Sequence, residues 1–145
     1  MSQDFDRAKS YFNNAYSFAD EMYAYDSYQI DNHYARYLIE RVVFYRDFAS
    51  AMSAFREARA LLFAQFGNER LHYPFRVAAN WRTFYTTFKG GLSGAEKAEI
   101  KDAAAYVLKR IEGLPADRAA HRSVVECRET MEFIIADVIG EVTQA

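Results

Sequence analysis

Apolar residues recur every three or four positions along most of this chain and almost nowhere in strict alternation. That period belongs to amphipathic helices. Over residues 4–26, Phe5, Phe12, Tyr16, Ala19 and Tyr23 fall on one line, and Tyr11, Ala15, Phe18, Met22 and Tyr25 form a second line beside it. Together they cover half the circumference, wider than the roughly 100° stripe of an ordinary core-facing helix. A helix this broad either wedges between two others or offers its second line to a partner.

Residues 26–33 are rich in Asp, Ser and Asn, the turn and capping types, and predict a connection. From 32 to 66 the apolar period runs on without a glycine or proline, through Tyr34, Tyr37, Leu38, Phe44, Phe48, Met52, Phe55, Leu62 and Phe66. This predicts one long helix of about 34 residues, about 50 Å at 1.5 Å per residue, with a kink near Ser50 and Ser53 as the alternative. Gly67 closes it, and Pro74 opens a third helix over 74–89 that Gly90-Gly91 stops. Ser93 and Glu96 form a capping box at the head of a fourth helix, 94–112. A fifth runs from Pro115 to Ile139, ended by Gly140, with Val124, Cys127, Met131, Ile134, Ile135 and Val138 inward. The expected fold is all-α: a single-domain bundle, residues 1–145, of about five helices with an unusually long second one.

Composition supports this. Aromatics make up 17% of the 145 residues, and the six glycines and two prolines all lie at or beyond Gly67. The aromatics exclude a disordered segment, and the missing turn residues argue against an all-β sandwich. The lone Cys127 excludes an internal disulfide framework. The start is polar and acidic, and no apolar run is long enough for a membrane span, so a cytoplasmic protein is expected.

The net charge of −2 is a sum of opposed segments: −4 over residues 1–32, +5 over 33–92 and −3 over 93–145. Eight of the nine central cations are arginines. On the predicted long helix Arg41 and Arg59 project among aromatic rings. Buried guanidinium groups need carboxylates, ring faces or an anion, and Asp20, Glu21, Asp26 and Asp31 are the expected partners.

Catalytic and metal signals are poor. Glu69 and His72 have a di-iron spacing, but only once and outside a helix. No phosphate loop follows a strand, and Cys127 sits on an apolar stripe. The chain is therefore expected to be non-enzymatic, with no cofactor and no metal. The first functional expectation is a helical protein–protein interaction module, a small subunit or inhibitor of a larger assembly or a homodimer. Its contacts would be Tyr11, Phe18, Tyr25, Arg41, Arg59 and the outward Phe133. Tyr, Phe, Met and Arg are the types enriched at interface cores. The alternative is a nucleic-acid backbone binder using Arg70, Arg76, Arg82 and Lys89, cations grouped on and before the third helix.

Overall fold

The structure, a computed structural model, describes residues 2–19, 24–66 and 73–144, with side chains for 4–16, 29–66 and 73–141. Among these residues the chain is all-α, with eight helices and no strand. They are α1 (Ser2–Ala19), α2 (Ala24–Tyr45), α3 (Ala51–Phe63), α4 (Tyr73–Ala78), α5 (Trp81–Phe88), α6 (Gly94–Glu112), α7 (Ala116–Ala119) and α8 (Arg122–Gln144). A 3-10 turn, Lys89–Gly91, follows α5. About five helices is therefore an undercount, because three of the predicted helices are broken.

The expected long second helix ends at Tyr45. Arg46 takes a left-handed conformation (φ 50°), its N–H donates to the Val43 carbonyl at 3.2 Å, and the Asp47 N–H donates to the Val42 carbonyl at 2.9 Å. This pair of bonds is the Schellman arrangement that satisfies a helix's last carbonyls, usually with glycine at the left-handed position. The Asp47 side chain then accepts the Ser50 N–H at 3.2 Å, fixing the turn into α3. An L-residue pays about 1–2 kcal/mol for that conformation. Arg46→Gly should therefore raise stability by about 1 kcal/mol in urea titration, and a loss of stability would show that the Arg46 side chain holds the corner.

The connection expected over 26–33 is also absent: those residues lie inside α2. The predicted third helix breaks at residues 79–80, where the Asn80 N–H donates to the Val77 carbonyl at 3.0 Å and the Asn80 carbonyl accepts Phe84 N–H at 3.2 Å. The fifth breaks at residues 120–121, where His121 Nδ1 accepts the Ser123 N–H at 3.2 Å and its carbonyl accepts Val124 and Val125. Gly140 does not end α8, which continues to Gln144. The fourth helix is as predicted, opened by the reciprocal Ser93–Glu96 capping box.

Two helices organise the packing. α2 meets α1, α3, α4 and α5, while α8 meets α4, α5, α6 and α7. α4 and α5 sit between them. The small residues Ala103 and Ala104 of α6 bring that helix close to Cys127, Met131 and Ile134 of α8, all in one contiguous core. Cys127 is fully buried, and burial pushes its thiol pKa up to about 12. The rings fall into two clusters. One joins α1 to α2 through Phe5, Phe12, Tyr34 and Tyr37. The other joins α3, α5 and α6 through Phe55, Phe63, Trp81, Phe84 and Tyr106.

Candidate functional site

Two concave surfaces flank the middle of α2, on either side of a ridge formed by Gln29, His33, Arg36 and Glu40. Their spacing of three and four residues puts all four on one line of the helix.

The first is a groove of about 760 Å³ between α1 and α2. α1 lies on α2 through Phe12, whose ring packs on Tyr34 and Tyr37 at 5.3 and 5.4 Å. The Tyr16 hydroxyl donates to Asp31 Oδ1 at 2.7 Å, and the Tyr37 hydroxyl to the Phe5 carbonyl at 3.3 Å. Burial first, then the hydrogen bond to Asp31, raises the Tyr16 pKa well above the usual tyrosine range. Burial raises Tyr34 and Tyr37 as well; Glu57 adds to the first, and Arg41 opposes the second. Phe5, Ala8, Phe12, Ala15 and Ile30 give the groove an apolar lining, and Asp4, Arg36 and Glu40 supply charge. Tyr11 also lines it and is 71% exposed. At one end Phe5 touches Phe44 and Tyr45, both exposed, and the Arg41 guanidinium lies 5.5 Å from the Tyr45 ring centre.

The second is a cavity of about 600 Å³ lined from α2 by Gln29, Asn32, His33, Arg36 and Glu40, from α4 and the turn after it by Tyr73, Arg76, Val77 and Asn80, and from α8 by Glu126. Its chemistry is different. Asn32 Oδ1 and both Asn80 amide atoms are buried with no hydrogen-bond partner among the described residues. Asn80 stands at the N-cap of α5, where an Asn side chain ordinarily takes a backbone N–H, yet it makes no capping bond. Each buried polar atom left unpaired costs about 1–3 kcal/mol. Arg36 is held by Glu40 at 2.7 Å and Glu126 by Arg122 at 3.0 Å. Arg76 is exposed and has no ion pair among the described residues.

The sequence-predicted residues do not form one site. Tyr11 is exposed, as a partner contact requires, whereas the side chains of Phe18 and Tyr25, and Arg70, Glu69 and His72 altogether, lie outside the described residues. Arg41 and Arg59 do not take Asp31, the one proposed acidic partner with a described side chain. Arg41 reaches Asp47 at 3.5 Å within its own segment. Arg59 lies 5.7 Å from the Phe55 ring centre and 4.0 Å from Glu99, which chiefly accepts Arg56 Nε at 2.9 and 3.1 Å. Phe133 is not a free outward ring: it is partly buried, and the Arg82 guanidinium covers it at 4.1 Å. Tyr106 packs on Phe63 at 4.3 Å. Lys89 meets Asp137 at 3.3 Å and Glu141 at 4.0 Å. Of the three described cations of the nucleic-acid reading, Arg76 alone is uncommitted.

Asn32 and Asn80 were not among the sequence candidates. A signal existed for Asn80, since an Asn in the middle of a supposed helix is a capping type out of place. Among the described residues no group of three or more His, Cys, Asp or Glu side chains could hold a metal ion, and no helix is long and apolar enough to cross a membrane. No protein-family profile matches the chain, and neither the curated proteins nor the solved structures contain a match.

Proposed function

We propose that this protein is a non-catalytic interaction module whose α1–α2 groove receives an amphipathic helix of a partner protein. The observation that carries the reading is the groove itself: an apolar lining with charged groups of both signs, bordered by exposed aromatic rings. Helix-in-groove recognition uses this composition, with apolar anchors spaced by one or two turns seated between charged edges. Tyr11, Phe44 and Tyr45 are the anchoring rings on this side, and Arg41 orients a partner carboxylate. Aromatic rings and arginine are the side chains that most often carry interface energy. A role as small subunit or inhibitor within the cytoplasm follows as part of the same proposal.

The test uses Tyr11→Ser and Phe44→Ser, two exposed positions whose loss leaves the core intact. Chemical cross-linking in native lysate should give a discrete adduct with the natural chain that both variants lose, at unchanged melting temperature. Sedimentation of the purified chain separates a self-partner from a foreign one. An adduct that survives both substitutions removes the groove as the interface. The nucleic-acid reading now has less support, because Lys89 and Arg82 are already engaged within the fold.

A further inference from the structure

The residues that line the α1–α2 groove follow one spacing. On α1, Phe5 and Phe12 are seven apart, Ala8 and Ala15 stand three residues after them, and Asp4 and Tyr11 stand one before. On α2, Ile30 and Tyr37 are seven apart, His33 and Glu40 stand three after them, and Gln29 and Arg36 one before. All twelve lining residues therefore occupy positions a, d and g of a heptad. Phe44, 45% exposed, is the next a position of α2. The two helices run antiparallel, since Phe5 meets Phe44 while Tyr16 meets Asp31. Such a hairpin is half of a four-helix bundle, with its a and d residues open toward the helices that would complete the core.

Side-chain size along α1 identifies the helix that fits. Tyr11, 71% exposed, stands between the small Ala8 and Ala15, three residues one way and four the other. A large ring with a small residue on either side is complementary to the same strip inverted, because each ring then seats beside the other helix's alanines. That match needs a two-fold axis, the symmetry of most homodimers, in which one patch serves both subunits. We propose that the groove is filled by a second copy of this chain. α1 of each copy lies in the groove of the other, and the two hairpins form a four-helix bundle with the Tyr11 rings at its centre. This rests on the groove being the interface and names its occupant. Inversion about Tyr11 also sets the two Asp4 carboxylates about 20 Å apart along the bundle, whereas a parallel pair would place them side by side. His33 and Glu40, at d positions, are polar residues of the kind that fix register at a cost in stability. Twelve lining residues a side is fewer than the roughly 20–30 of a stable interface, so the dimer is weak and concentration-dependent.

Sedimentation of the full chain from about 1 to 500 µM reads the outcome directly, and the mass should pass from one chain to two within that range. Tyr11→Ser should weaken the dimer by about tenfold or more, as loss of a central aromatic anchor does. Its melting temperature at the dilute, monomeric end should be unchanged, because the ring is exposed in the single chain. Ser10→Glu, at the exposed f position on the opposite side of α1, should leave the equilibrium as it is. A chain that stays monomeric to about 500 µM overturns the proposal. So does a dimer that keeps its strength in Tyr11→Ser, a dimer broken by Ser10→Glu, or assembly beyond two chains, which a closed two-fold contact excludes. Failure here is distinguishable from failure of the groove itself. If the chain is monomeric and Tyr11→Ser still loses the lysate adduct, the groove is an interface for a foreign helix and only the second copy falls.

Discussion

Phe55→Ala should cost about 3–5 kcal/mol of unfolding free energy, the range for emptying a large buried aromatic site. Phe55 is fully buried and holds α3 against α5, with Trp81 at 4.8 Å across a steep 62° angle and Phe84 at 5.3 Å in a near-parallel stack. Both neighbours are themselves fully buried, so neither is placed to relax outward into the void. The same substitution removes the ring that Arg59 lies against. Urea unfolding measures the effect directly, and Phe55→Leu, which keeps most of the volume, should recover most of the loss. A cost below about 1 kcal/mol would mean that the aromatic cluster is not the centre of the core.

The second large effect is alkaline. Tyr16 and Tyr85 each donate to a carboxylate at 2.7 Å, Asp31 for the first and Asp137 for the second. Burial and then these hydrogen bonds raise both phenol pKa values well above the usual range, and burial raises Tyr34 and Tyr37 too. The unfolded chain ionises these groups near pH 10, whereas the fold keeps them protonated. Their contribution is thus complete below pH 10 and is lost as pH rises above it. Each pH unit beyond that point removes about 1.4 kcal/mol for every tyrosine still protonated in the fold. Denaturation midpoints should hold up to about pH 10 and fall steeply above it, with a further step of phenolate absorbance as unfolding releases these four phenols. Tyr85→Phe should lower stability at neutral pH and flatten the alkaline fall. Absence of a phenolate step on unfolding above about pH 10 would contradict the buried arrangement. On the acid side, Asp137 has its pKa lowered, first by the Tyr85 hydrogen bond and then by Lys89. Its contribution holds above the ordinary carboxylate range and fades as pH falls through that lowered value.

How much of this was legible in the sequence depends on where polarity comes from. α6 was readable to the residue because its start signal, Ser93 and Glu96, is local and used locally. The inward stripe of α8 was readable for the same reason, since period and burial agree. The α2–α3 corner was not, because it is made by Arg46 in a left-handed conformation and by the Asp47 side chain, with no glycine or proline to mark it. The false connection over 26–33 is the reverse case. Asp31 and Asn32 read as turn residues, yet both sit within a helix. Asp31 is polar because it receives the Tyr16 hydroxyl, and Asn32 faces a cavity. Gly140 misled similarly: nothing lies within 4 Å of where its side chain would be, and the helix continues past it at the modest propensity cost of a glycine. For the candidate site, Tyr11 was legible as an exposed ring, but the cavity was not. Its lining comes from α2, α4 and α8, segments that only the tertiary packing brings together.

The ridge of Gln29, His33, Arg36 and Glu40 has a consequence for both concave surfaces. These four residues line the α1 groove on one side and the asparagine-lined cavity on the other. A molecule seated on either side presses on the same wall. Occupancy of the two sides is then energetically linked to the extent that the wall shifts, and linkage of this kind is reciprocal: whatever the groove does to affinity in the cavity, the cavity does to affinity in the groove. Substitutions in that wall report on both surfaces at once, so only residues remote from it, such as Tyr11 and Asn80, can assign an effect to one side.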